Sequence, residues 1–436
     1  MAKNTKTDLR NLVLYSVYIR NYSDEGTFRA LERDLDRIKA LGVDIIWLLP
    51  IHPIGKKNRK GTLGSPYAIE DYRKVNPEYG TYEDFVSLVN EIHRRGMKCI
   101  IDVVYNHTSP DSWLAENHPE WFFRKADGSF GNRAGVWLDV IDLDYGDAAL
   151  WDYQIETLKF WAGLVDGFRC DVAPLIPLDF WLRARDEVAQ VNPDCLWLSE
   201  SVDPHFISRL RSLGLDCLSD SEIFQAFDIS YDYDIYQWYK GYLERKNSLS
   251  EYAEKINNQE TIYPANYVKL RCLENHDQCR AKFLVSDEKA LLNWTAFLYF
   301  QKGMTMIYAG QETGNENKPG LFEKDPVDWH TGCNLSEYMA ALYRIKKDTG
   351  FTNSQYSVNA LPGDILLAVH RGKERSIYGV FSLKGLSSPV HVDIQEGTFT
   401  NLIDGAAFRI EENKLSCRGS PVIFEYSIIQ KKEILQ

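Results

Sequence analysis

From residue 11 to about residue 350 the chain alternates two hydrophobic patterns. Short unbroken apolar runs occupy residues 12–19, 43–49, 97–104, 165–170, 195–199, 215–218, 267–273 and 304–308. Their length and β-rich composition predict strands. Between them, stretches such as 28–41, 82–95, 149–162 and 180–191 space their apolar residues at helical period. Strand and helix in strict alternation predict parallel βα units. Repeated to this number, the units close into a (β/α)8 TIM barrel. An open doubly wound sheet is the alternative, but the first strand–helix turn, residues 21–27, carries no Gly-x-Gly-x-x-Gly.

Two regions break the alternation. From Asn106 to about Asp147 there are turn residues, prolines and aromatics with no clean period. A connection that long is a functional loop or a small subdomain, and it leaves the C-terminal end of the third strand, where barrel enzymes place their chemistry. After residue 350 the runs 365–370, 376–382, 389–394, 399–403 and 422–426 are short and divided by Gly, Asn, Asp and Ser. They predict an antiparallel β-sandwich. The expected organisation is a barrel from 1–106 and 147–350, an inserted subdomain at 107–146 and the C-terminal sandwich at 351–436.

Composition narrows the setting. Hydrophobic residues make 44% and charged residues 26%, values of a soluble globular protein, and no apolar run approaches the ~18 residues of a membrane span. Eight cysteines stand at 99, 170, 195, 217, 272, 279, 333 and 417, none as Cys-x-x-Cys. Five lie in or beside strand-like runs, which suits buried free thiols in a reducing compartment. With a polar start lacking a signal-peptide pattern, the expected location is cytoplasmic. The net charge is −12, and the densest basic stretch is Lys56-Lys57-Asn58-Arg59-Lys60. Neither nucleic acid nor an anionic membrane is expected as a partner. Aromatic residues reach 13%; most of that serves a large core, and some of it suits stacking on sugar faces.

Catalytic groups of a barrel gather at strand ends. Strand three ends in Asp102-Val-Val-Tyr-Asn106-His107, and strand four in Gly167-Phe-Arg169-Cys-Asp171. Strand five ends in Glu200 and strand seven in Asn275-His276-Asp277. Three acids, Asp171, Glu200 and Asp277, thus share one rim. Two carboxyl groups flanking a bond, with a third nearby, are what retaining glycoside hydrolysis requires. Residues i and i+2 of a strand face one side, so Arg169 can pair with Asp171 and keep it ionised. Asp102, inside an apolar strand, reads as a structural partner.

These four strand ends resemble, in order and on matching strands, the signature regions of the α-amylase family of glycoside hydrolases. Ser65-Pro66-Tyr67, Ile141-Asp-Leu-Asp144, Met306-Ile-Tyr-Ala-Gly-Gln-Glu312 and Asp325-Pro-Val-Asp-Trp329 add to the likeness. The resemblance implies Asp171 as nucleophile, Glu200 as general acid/base and Asp277 as a stabiliser of the distorted transition state. It implies His107 and His276 as hydrogen-bond partners of the sugar, Arg169 as the holder of Asp171, and Tyr67 as a stacking platform. The substrate implied is an α-1,4-linked glucan or maltooligosaccharide, with no cofactor required. A structural calcium at Asn106 and Asp142 is possible for the family, yet two side chains are a thin set against six to eight oxygens, and no metal ligand is assigned. Endo-acting members continue the second region with Lys-His, where this chain has Pro174 and Leu175, so the leaving group must be held differently. The inserted aromatics Trp113, Trp121, Phe122, Phe123 and Trp137 read as packing for the insertion. A transglycosylase uses the same intermediate and is the first rival; a non-catalytic binding protein is the second, against which all three carboxylates count.

Overall fold

The computed structural model describes residues 5–135 and 137–427. Eight parallel strands close into a barrel: Val13–Val17, Ile45–Leu48, Lys98–Val103, Gly167–Cys170, Leu196–Ser199, Ile229–Tyr231, Lys269–Arg271 and Met304–Tyr308. Each pairs with the next in sequence, and the eighth closes on the first with Val13 beside Thr305. The first, second, fourth and eighth are buried at every position, which is why they read as unbroken apolar runs.

The expected strand at 215–218 is a correction. Those residues form a loop; Leu215 and Cys217 pack with Ala134, Leu210 and Phe206 and line a cavity of about 910 Å³ beside the insertion. The sixth strand is Ile229–Tyr231, three residues bracketed by Asp228 and Asp232. Asp228 earns its buried place by accepting from the Trp197 amide at 3.2 Å and from Arg185 at 2.7 Å.

Helix ends follow local chemistry. Tyr82–Arg94 starts at a capping box, Thr81 Oγ1 accepting from the Asp84 amide and Asp84 accepting from the Thr81 amide. The expected helix at 28–41 is broken into Phe28–Arg33 and Leu35–Ala40. Asp34 sits at the break because its carboxylate accepts from the Tyr22 hydroxyl and from Arg37 Nε at 2.8 Å, a tertiary pull that helical period does not reveal.

The inserted segment is tied at its base by a two-stranded ladder, His107–Thr108 against Ile141–Asp142. A second irregular connection, between Leu48 and Tyr82, is nearly as long and carries Tyr67. The C-terminal region is two four-stranded antiparallel sheets sharing a core of Ile365, Val380, Val390, Ile410, Leu415 and Phe424. Three of its strands, Gln355–Leu361, Ala407–Glu411 and Lys414–Arg418, had no apolar run to announce them. It docks on the helix Glu288–Phe300, where Asn293 accepts from the Ser382 amide at 2.7 Å and donates to the Gly419 carbonyl at 2.9 Å. All eight cysteines are free thiols, six of them buried. Among the described residues no helix is long and apolar enough to cross a membrane.

Candidate active site

Strands three, four, five and seven end at one rim, and their last side chains meet around a single guanidinium. Arg169 is wholly buried. Its Nη1 donates to Asp102 Oδ1 at 2.9 Å and to Asp171 Oδ1 at 2.9 Å; its Nη2 lies 2.9 Å from Glu200 Oε2. Its Nε donates to the Tyr231 hydroxyl at 3.3 Å. The rings of Trp47, Tyr231 and Tyr67 stand 5.0, 5.3 and 5.7 Å from its central carbon, within cation–π range. One cation therefore faces three carboxylates.

That imbalance sets the protonation states. Burial pushes Glu200 up to about 8; Arg169 pulls it back, and the charges of Asp171 and Asp277 push it up again. Burial also raises Asp171, to about 6, with Arg169 opposing and Asp102 adding. Asp102 is raised by burial and held back by Arg169. Like charges at one site cannot all ionise freely, and both Glu200 and Asp171 are held above the ordinary carboxylate range. Burial would lower Arg169, but Asp102 and Glu200 hold it well above its ordinary value.

Glu200 has a further partner. Its Oε2 accepts from the Val172 amide at 2.9 Å, and Val172 adopts φ 34°, ψ 43°. Left-handed backbone is costly for a β-branched residue, and here it aims the amide after Asp171 at the second carboxyl.

The other expected residues also reach the rim. His107 Nε2 lies 3.9 Å from Asp171 Oδ2. Asn106 Nδ2 donates to His107 Nδ1 at 3.1 Å, which leaves the ring proton on Nε2, facing the carboxylate. Burial lowers its pKa. His276 Nε2 sits 3.1 Å from Asp277 Oδ2 and 2.7 Å from the Tyr67 hydroxyl. Burial would lower its pKa, yet Asp277 reverses the sign. Asp277 is the open member, its side chain 42% exposed. Tyr67 stacks on His276 at 5.5 Å and 17° and donates to Asp102 Oδ2 at 3.1 Å. Asp102 itself is fully buried, a partner for Arg169 and Tyr67 as expected.

Other residues of the site were not assigned to it from the sequence. Tyr231 lies on the misplaced sixth strand, and Tyr233 just past it receives a 2.7 Å hydrogen bond from Asn275 Nδ2. Trp47 packs edge-on against His276 at 5.7 Å. Trp137 reaches from the insertion to within 5.6 Å of the His107 ring and 6.5 Å of Phe206. Alternation on strands two and six was the available signal for Trp47 and Tyr231. Trp121 and Phe122 are buried packing, while Trp113 is exposed at 39%.

A calcium ion does not fit Asn106 and Asp142 as arranged. Asp142 Oδ2 accepts from the Arg133 amide at 2.6 Å, and Asn106 turns its amide nitrogen, 3.4 Å away, toward Oδ1. A cation is already present: Arg133 donates to the Leu143 carbonyl at 2.8 Å and lies 3.3 Å from Asp144. Among the described residues no group of three or more His, Cys, Asp or Glu side chains is placed to hold a metal.

With this geometry in hand, comparisons with known proteins converge. A model of the alpha-amylase catalytic domain matches residues 5–363, and one of the bacterial alpha-amylase C-terminal domain matches residues 357–424. The crystal structure of an alpha-amylase from Lactobacillus plantarum is 45% identical, with a TM-score of 0.94 over 97% of this chain and 100% of that one. An alpha-amylase of Haloarcula japonica is 25% identical over 90% of this chain, which spans 58% of that protein. A maltose-1-phosphate maltosyltransferase of Rhodospirillum rubrum is 30% identical over 74% of this chain and 48% of its own length. The chain is a member of the alpha-amylase family.

Proposed function

We propose that this protein is a retaining hydrolase of α-1,4-linked glucans and maltooligosaccharides. The observation that carries the reading is Arg169 between two carboxyls, its Nη1 2.9 Å from Asp171 Oδ1 and its Nη2 2.9 Å from Glu200 Oε2. An ionised Asp171 attacks the anomeric carbon while protonated Glu200 gives its proton to the departing oxygen. Glu200, now a carboxylate, removes a proton from water, which attacks the glycosyl ester and frees Asp171. Two inversions at one carbon leave the α configuration unchanged. Asp277, open to the cleft and charged beside His276, binds sugar hydroxyls; His107 offers its Nε2 proton, and Tyr67 offers a ring face. The steps draw only on groups of this chain. Reduced thiols support a cytoplasmic setting.

Transfer to a sugar acceptor is the second reading, supported by the maltosyltransferase relative. Product profiles from maltooligosaccharides, with and without excess acceptor, separate the two.

The mechanism is tested with Glu200→Gln. Turnover of maltooligosaccharides should fall by about 10²–10⁴-fold, the usual worth of general acid–base assistance. A glycosyl fluoride needs little protonation, so it should still load Asp171, and the ester should accumulate. Mass spectrometry should find the sugar on the peptide holding Asp171, and azide should hasten its release. An adduct on another carboxylate, or a β-configured first product, would overturn the assignment.

A further inference from the structure

Asp277 is the open member of the rim, its side chain 42% exposed, so burial alone does not hold it in place. It stands on the loop 275–280 beyond strand seven, and that loop is tied shut at its base. Glu274, just before the loop, and Arg280, at its end, are both buried. Arg280 Nη1 donates to Glu274 Oε1 at 2.7 Å, and the Ala281 amide donates to Glu274 Oε2 at 2.6 Å. Both oxygens of one carboxylate thus close a ring of backbone whose far side carries His276 and Asp277. Inside the ring Asn275 shapes the turn. Its Oδ1 accepts from the Asp277 amide at 2.9 Å and from the Gln278 amide at 3.0 Å, a side chain standing in for backbone.

The clamp is also fastened to the barrel wall. Arg280 Nη1 donates to the Ala309 carbonyl at 2.9 Å, just past strand eight, and its central carbon lies 4.4 Å from the Tyr308 ring. That anchor is itself fixed. The Ala309 amide donates to the Ser16 carbonyl on strand one at 3.0 Å, and the Gly310 amide donates to Glu312 Oε2 at 3.0 Å. The loop therefore takes its position from strands eight and one as well as from seven. A buried ion pair is weak evidence for stability, because apolar side chains of like volume often serve as well. Apolar groups do not fix direction, however, and here one guanidinium nitrogen joins two strand ends at hydrogen-bond distance.

We propose that Glu274 and Arg280 are positioning residues for the reaction, holding the loop so that Asp277 meets the sugar hydroxyls as the transition state forms. The proposal rests on the role given above to Asp277.

The test is a double-mutant cycle with α-maltosyl fluoride, whose good leaving group keeps slow variants measurable. In Arg280→Met, turnover per folded molecule should fall about 10²-fold, the effect of a misplacement of about 1 Å. The loss should lie in kcat more than in KM, because the contact matters most in the transition state. In an Asp277→Ala background the same substitution should change turnover by less than about twofold, since residues acting through one group do not add. Arg280→Lys keeps the charge without the planar fork and should recover part of the loss. If Arg280→Met does not fold, Glu274→Gln goes through the same cycle with a smaller first step. Undiminished turnover in a folded clamp variant overturns the proposal, as does an equal loss with and without the Asp277 carboxylate. Asp277→Ala with the turnover of the parent overturns the role of Asp277 itself, a result seen before any clamp variant is made.

Discussion

Two buried ion clusters lie within the same barrel, and they differ in charge count more than in burial. At the rim, Arg169 faces Asp102, Asp171 and Glu200. Behind it, Lys269 and Arg271 face Asp220, Asp232 and Asp234. The two clusters share Tyr231, which accepts from Arg169 through its hydroxyl and from Lys269 through its carbonyl. Exposure does not separate them: Asp171 and Glu200 side chains are 9% exposed, and Asp234 is 13%. Perturbed titration does not separate them either, since burial raises Asp220, and raises Asp232 to about 7. What differs is that two cations serve three acids in one cluster and one cation serves three in the other. The second arrangement leaves negative charge in surplus beside a fourth carboxyl, Asp277, whose side chain is 42% exposed. On the proposed mechanism, surplus negative charge next to an open group marks the reacting site; a perturbed pKa alone does not.

The comparison breaks first, and most severely, on the rim. Asp171→Asn should reduce turnover by about 10⁴-fold or more, as loss of a covalent nucleophile does elsewhere, while the melting temperature holds or rises because a crowded charge is gone. A large fall in stability would place Asp171 with the structural acids. Lys269→Met should do the reverse. It leaves Asp220 and Asp234 buried without their cation, a change worth about 3–5 kcal/mol. Denaturant unfolding should show the loss, and kcat per folded molecule should stay close to the parent value.

A gentler probe is pH. The proposed mechanism needs Asp171 ionised, so kcat/KM should fall as pH drops through about 6. Glu200 must be protonated, so it should fall again as pH rises through about 8. With a fluoride donor the acid is dispensable, and only the low-pH limb should remain. Persistence of the high-pH limb would assign it to another group. The mildest effect concerns a cation outside both clusters, Arg133. Chelators should leave turnover and melting unchanged, and Arg133→Met should cost about 1 kcal/mol, the worth of a half-exposed charged hydrogen bond.

Strand ends three, four, five and seven were legible because each couples an apolar run to a polar terminus at fixed spacing. The pairing of Arg169 with Asp171 then followed from strand alternation. The sixth strand was hidden because three residues between two aspartates offer no run, whereas 215–218 offers one and spends it on packing Leu210 and Ala134. Asp34 broke a well-patterned helix through partners 3 and 12 residues away. The long connection holding Tyr67 lacks any period, so only its Ser-Pro-Tyr motif pointed to the site. Trp137 was read as packing; it does pack, on Phe206, and its other neighbour is His107.

Val172 has a consequence for anyone who improves this protein. Its left-handed backbone holds about 1–3 kcal/mol of strain, more than many surface substitutions can recover. Selection for heat resistance would therefore find glycine at this position early, because glycine adopts φ 34° freely. Such clones would survive the heating step and score well on residual activity. They would also have loosened the amide that steadies Glu200, so durability and speed would part company at one backbone turn.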